Sequence, residues 1–175
     1  AAQELKTKPT QHSVKELQEE GVQPDILVLR TEHEITPEIR HKVSLFCNVA
    51  PDAVIQSIDL PTIYKVPIKM QEEKLDEIVL RKFGCPTDKT PDMKSWNAFL
   101  EKLENATEKV KIALVGKYVR LPDAYKSIIE SLIHASAYNN RKLQLELIKS
   151  DDIDDQNVAS ILGDMDGIVV APGFG

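Results

Sequence analysis

The feature that most constrains this chain is a set of short apolar runs, each bounded by polar residues. Asp25-Ile26-Leu27-Val28-Leu29-Arg30-Thr31 is one of them. It is too short for a buried helix and too continuous for a strand with one wet face. A strand buried on both faces belongs to a parallel sheet covered by helices. Ala53-Val54-Ile55-Gln56 is a shorter run, and Lys111–Gly116 and Gly167–Ala171 repeat the longer pattern. Leu143-Gln144-Leu145-Glu146-Leu147-Ile148 alternates and reads as a further strand.

Helix signals fill the gaps. Thr10 caps a helix over 10–20, with Val14 and Leu17 as its apolar stripe and Gly21 as its stop. Thr36-Pro37 places a cap and a first-turn proline before a helix over 37–46. Residues 68–83 read as one amphipathic helix, and 93–103 as another carrying Trp96, Phe99, Leu100 and Leu103. Trp96 is expected to be a packing anchor. Asp123 caps a helix reaching about Tyr138, and residues 151–162 form a helix with acidic groups in its first turn. Strands alternating with helices give an α/β fold with right-handed crossovers. The stretch 84–91, with its Gly, Pro, Thr and Asp, breaks the pattern. The expected organisation is a unit over 1–83, a linker over 84–109 and a second unit over 110–175. The sequence ends just past a strand, where a binding loop should continue. A fragment of a longer protein is therefore expected.

Composition limits the partners. The net charge is -6, so no global field draws the chain to nucleic acid or to anionic membranes. A bound anion must be held by a local cluster. Aromatics make up only 5% of residues, which leaves aliphatic side chains to fill the core. The 2 cysteines form no disulfide framework and no metal spacing, which points to a reducing, cytoplasmic setting. No secretory pattern opens the chain, and no apolar run nears the ~18 residues of a membrane span.

Lys6-Thr7-Lys8-Pro9-Thr10-Gln11 packs two ammonium groups, two hydroxyls and an amide before a helix start. Free N–H groups and the positive dipole end make such a start suited to phosphate. Lysines add mobile charge. A solvated polar loop is the other reading of these residues. Ala171-Pro172-Gly173-Phe174-Gly175 follows a strand, where glycines permit close backbone approach. A strand-end turn without function is its alternative. Cys47 lies in apolar Leu45-Phe46-Cys47-Asn48-Val49 and reads as a core residue, not as a nucleophile on a strand-to-helix elbow. His12 follows the lysine-rich segment and could lie near phosphate. His33, His41 and His134 lack metal spacing.

The segment from Lys6 to Leu17 resembles a signature of the CTP synthase family almost letter for letter. The resemblance continues through Gln23-Pro24-Asp25-Ile26-Leu27, Leu45-Phe46-Cys47, Ile63-Tyr64 and Val66-Pro67. It resumes at Leu114-Val115-Gly116-Lys117-Tyr118, runs through Leu121–Ser127, and ends at Asp166–Val170 and Gly173-Phe174-Gly175. It implies an α/β chain in two parts. The first is the C-terminal part of a P-loop-type synthetase domain. The second, after the linker, is the N-terminal part of a flavodoxin-like class I glutamine amidotransferase domain.

The implied activity is ATP-dependent amination of UTP to CTP with nitrogen from glutamine or ammonia. By the resemblance, Lys6, Thr7, Lys8, Pro9, Thr10, Gln11 and Lys42 bind UTP or the inhibitor CTP. Ile58, Asp59 and Leu60 meet ATP. Gly173 serves the glutamine and oxyanion site, where backbone N–H groups stabilise a developing charge. The family more often has Pro-Gly-Gly-Phe-Gly there, which leaves the path of this loop open. No catalytic residue is expected within the chain, because the family's nucleophilic cysteine should follow Gly175. Mg2+ is expected with the nucleotides on ligands outside the chain, GTP as an activator, and a homotetramer as the assembly. A non-catalytic nucleotide-binding or assembly fragment, or another glutamine-dependent ligase built on the same folds, are the alternatives.

Overall fold

A computed structural model describes residues 5–121 and 123–173. Phe174 and Gly175 of the strand-end motif, and Pro122 of the Leu121–Ser127 motif, lie outside the described residues. The chain divides into two compact units, with the boundary between Pro91 and Asp92.

In the first unit, α1 (Lys8–Glu19), β1 (Leu27–Thr31), α2 (Pro37–Cys47), β2 (Val54–Ile58), α3 (Val66–Glu72) and α4 (Leu75–Lys82) follow in order. β1 and β2 pair in parallel, from Leu27 opposite Val54 to Thr31 opposite Ile58. β2 alternates its side chains between two cores. Val54 packs with Val14, Val43 and Cys47, under α1 and α2. Ile55 packs with Ala53 and Ile78, beside α3 and α4. Burying an aliphatic side chain of this size contributes about 1.5–3 kcal/mol. Gly21 and Gly84 end α1 and α4 in the left-handed region, with φ of 83° and 67°. Val22 N–H reaches Leu17 O and Cys85 N–H reaches Leu80 O, so both ends close in the Schellman pattern.

Several expected boundaries move. α1 begins at Lys8, with Thr7 at its cap position and Thr10 inside its first turn. Thr10 is therefore not the cap, and Pro9 is tolerated because a first-turn N–H has no helical partner. The helix expected over 68–83 is two helices, α3 and α4. Lys74 turns into the left-handed region at φ 59° between them. No Gly or Pro marks this break. Its compensation is tertiary: Glu73 Oε2 accepts from Arg40 at 3.0 Å and from Gln56 N–H at 3.1 Å. Arg40 also donates to Val54 O. β1 shields alternate residues only, with Val28 51% exposed, so the expectation that it is buried on both faces fails.

The second unit contains α5 (Lys94–Asn105), β3 (Lys109–Gly116), α6 (Lys126–Tyr138), β4 (Lys142–Lys149), α7 (Val158–Leu162) and β5 (Gly167–Val170). All three strands are parallel in the order β4-β3-β5. Leu114, Tyr125 and Ala171 form its buried cluster. α5 packs on α6 through Phe99 and His134, whose rings meet edge to face at 5.4 Å, and Trp96 lies against Phe99 within α5. It thus belongs to this unit, although 84–109 reads as linker in the sequence. Asp123 sits in a turn and does not cap α6, whose first residue is Lys126. The helix expected over 151–162 shrinks to α7. Asp154 Oδ1 instead accepts from Gln156 and Asn157 N–H, both at 2.9 Å. Asp and Asn side chains offer the backbone an alternative to the helix, and here the alternative wins.

Residues 85–93 take no regular structure, and 84–92 are all exposed. Exposed irregular backbone is where proteases cut first. Brief trypsin digestion should therefore cleave first after Lys89, before any site within the helices or strands, as read by mass spectrometry of the early fragments.

Candidate functional site

Both units gather polar groups at the carboxyl ends of their parallel strands. In the first, the start of α1 lies against the end of β1. Leu5, Lys6, Thr7, Thr10, Arg30, Thr31 and Ile35 line a cleft of about 80 Å³ there, floored by Leu29, Ile39 and Val43. The cleft is smaller than the roughly 300–1,000 Å³ of pockets that enclose whole small ligands. It can therefore seat only part of one. Thr7 is buried and its Oγ1 accepts from Gln11 Nε2 at 3.1 Å. No side chain caps the start of α1, and its first turn carries no acidic residue. α2 and α4, by contrast, hold Glu38, Asp76 and Glu77 in their first turns. The α1 start is left electropositive by its own sequence.

Lys6, Thr7 and Thr10 are thus brought to one cleft, joined by Arg30 and Thr31. Lys8 and Pro9 are exposed on the first turn of α1 outside the lining, and Gln11 meets the site through Thr7. Lys42 is exposed on α2, whose Ile39 and Val43 reach the cleft floor.

Ile58 ends β2 opposite Thr31, and Asp59 N–H donates to Thr31 O at 2.9 Å. Asp59 Oδ1 accepts from Arg30 Nε at 3.1 Å. Ile58, Asp59 and Leu60 therefore lie at the same sheet edge as the cleft. Arg30 and Thr31 carry the link between them, and the sequence reading missed both. Their signal was position: polar residues closing an apolar strand.

In the second unit, Gly116, Lys117, Ser150, Asp151, Ala171 and Gly173 line a cleft of about 130 Å³ at the strand ends. Strand order reverses at β3, and ligands of open parallel sheets bind outside such a point. Tyr125 organises the edge. Its hydroxyl accepts from Tyr118 N–H at 3.2 Å and donates to Pro172 O at 3.3 Å. The loop's path is thereby fixed at Pro172, next to Gly173. A hydrogen bond from Lys149, with its charge and that of Lys117, holds the Asp151 carboxyl below the usual carboxylate range. Tyr125, Asp151 and Ser150 went unassigned in the sequence reading.

Cys47 is fully buried, and burial pushes its thiol up from the usual range. It is a core residue, as its apolar neighbours suggest. Among the described residues, no group of three His, Cys, Asp or Glu side chains could hold a metal ion. No described helix is long and apolar enough to cross a membrane.

The fold and its two clefts define an α/β protein with parallel sheets and its candidate ligand groups at the strands' carboxyl ends. Residues 1–85 match the family model described as CTP synthase N-terminus. Over all 175 residues the chain is 62% identical to the CTP synthase of Porphyromonas gingivalis and 59% identical to that of Bacteroides fragilis. It is 58% identical, again over its full length, to the CTP synthase of Cytophaga hutchinsonii. It covers 32%, 33% and 32% of these proteins, so it spans about a third of the length of the curated relatives it matches. Over its first 85 residues the chain matches the CTP synthase N-terminus model, and the likeness to CTP synthases holds across its whole length.

Two outcomes test this geometry. A Cβ on Gly116 would lie 2.6 Å from the Tyr125 hydroxyl oxygen. That ring is buried and its hydroxyl is held by two hydrogen bonds, so Gly116→Ala should lower stability by about 1–3 kcal/mol in urea unfolding. Iodoacetamide at neutral pH should alkylate exposed Cys85 and spare Cys47 until the protein is unfolded, as mapped on peptides.

Proposed function

We propose that the chain is part of a CTP synthase. Residues 1–83 are the C-terminal part of its synthetase domain, 84–109 the interdomain linker, whose helix α5 packs on the second unit, and 110–175 the opening of its class I glutaminase domain. The order β4-β3-β5 supports the last assignment, because it matches the first three strands of the flavodoxin-like order 2-1-3-4-5. The whole protein phosphorylates O4 of UTP with ATP, releases ammonia from glutamine and directs it to C4. The products are CTP, ADP, phosphate and glutamate. Phosphorylation turns a poor leaving group at C4 into a good one.

The observation that carries this reading is the lysine-rich start of α1 beside the carboxyl end of β1. Lys6 and the backbone of the first turn hold phosphate oxygens of UTP, or of CTP as inhibitor. Thr7, Lys8, Pro9, Thr10, Gln11 and Lys42 complete that surface, with Pro9 stiffening it. A cleft this small seats phosphate and leaves base and sugar to other surfaces, in keeping with a site shared between subunits of a homotetramer. Ile58, Asp59 and Leu60 meet ATP at the adjoining edge, chiefly through backbone groups. Gly173 approaches glutamine closely, where a larger residue would crowd Lys117. Mg2+ accompanies the nucleotides on ligands outside this chain. GTP activates the glutaminase half, and the protein is cytoplasmic.

Charge-assisted hydrogen bonds contribute about 1.5–3 kcal/mol each, which is roughly ten- to a hundredfold in affinity. In the full-length protein, Lys6→Ala should weaken UTP and CTP binding by a factor in that range, measured by calorimetry. Equal binding by wild type and variant would sink the assignment.

A further inference from the structure

Gln56 occupies a position on β2 where an apolar side chain would be ordinary. It lies two residues from Val54, on the strand face that packs under α1 and α2, and it is only 5% exposed. A buried amide without partners costs free energy, so its bonds reveal its use. Its Oε1 accepts from Ile35 N–H at 2.5 Å. Ile35 lines the same cleft as Lys6, Thr7 and Thr10.

The segment that carries Ile35 is tied at both flanks as well. The Thr31 hydroxyl donates to His33 O at 2.7 Å and accepts from His33 N–H at 3.2 Å. Thr36 caps α2 through Ile39 N–H. Between these ties, the amide of Gln56 is what anchors Ile35 to the sheet. The strand position is itself secured, since Gln56 N–H donates to Glu73 and Glu73 pairs with Arg40.

We propose that Gln56 is a positioning residue for the α1 cleft: its buried amide oxygen pins Ile35, so that a nucleotide phosphate meets a preformed wall. The proposal rests on the reading of that cleft as a phosphate subsite for UTP and CTP. A wall held in place before binding spares the ligand the cost of ordering it. The reacting end of the base lies outside so small a cleft. The loss should therefore fall on binding and leave the chemical step alone.

The test uses the full-length protein with Gln56→Met, which keeps length and removes the oxygen, and Gln56→Glu, which returns an acceptor. Gln56→Met should raise the KM for UTP and the Kd for CTP by roughly five- to tenfold, the size of one hydrogen bond. Its kcat should stay within about twofold of wild type, as expected when only uniform binding is lost. Hydrogen exchange at the Ile35 amide should quicken in Gln56→Met, and Gln56→Glu, whose carboxylate again accepts from Ile35 N–H, should restore that protection. If Ile35 exchanges faster while CTP binds as in wild type, and Lys6→Ala still binds weakly, the role of Gln56 is overturned and the cleft reading stands. If Lys6→Ala also binds as in wild type, the cleft reading itself is overturned. Should Gln56→Met not fold, Gln56→Asn, whose amide falls short of Ile35, is judged by the same criteria.

Discussion

Parallel pairing of β1 with β2 is the constraint from which the candidate site follows. Two strands running the same way release their following segments at one edge. The segment after Thr31, the segment after Ile58 and the start of α1 therefore meet at the carboxyl end of the sheet. None of these pieces is a site alone. Thr31 O accepting from Asp59 N–H extends the ladder one step past the last strand pair, and Arg30 reaching Asp59 closes it. A one-residue slip in register would send Val54 and Ile55 to each other's cores and move this edge with them. The apolar alternation on β2 thereby fixes where the polar groups stand.

Polar groups set into that core decide how stiff the edge is. Glu73 is drawn in by Arg40 and by the N–H of Gln56, and the break between α3 and α4 exists to deliver it. Both side chains are largely shielded, at 27% and 15% exposure. Such a pair adds little net stability against an apolar replacement, but removing one partner leaves the other charge stranded. Its value here is placement. It holds the backbone of β2 at Gln56, while the side chain of Gln56 holds the loop at Ile35.

How much of this the sequence made legible depends on the range of the cause. The strands and α2 follow from local signals, namely apolar runs and the Thr36-Pro37 start, and they stand within a few residues of expectation. The lysine-rich segment was legible for the same reason, as a cluster of cations beside a helix start. The break at Lys74 was not, because its cause is the pull of Arg40 on Glu73, a pair 33 residues apart in sequence. α7 was overestimated because acidic residues that suit a helix dipole also suit turns, and Asp154 took the turn. Tyr125 was hidden because a tyrosine before a helix reads as packing, and only the fold shows its hydroxyl between Tyr118 and Pro172. Apolar runs also promised more burial than these residues supply. Val28 and Val170 belong to such runs, yet they are 51% and 76% exposed.

The polyphosphate proposed for the α1 cleft would bind a chain of net charge -6, which raises an electrostatic question. Exposed charges farther apart than the Debye length, about 8 Å at physiological salt, scarcely feel one another. The global excess of carboxylates therefore matters less than what stands within that radius. At the α1 cleft the local set is Lys6, Arg30 and an uncapped helix start without acidic residues in its first turn. Arg30 is partly offset by Asp59, and Lys6 is not paired that way among the described residues. The result is a small positive field on an acidic protein. Such a field favours an anion once it arrives, while the rest of the surface discourages longer polyanions from settling there. On the proposed reading, selectivity for a short phosphate chain over a nucleic acid backbone would come from charge placement, before any base is read.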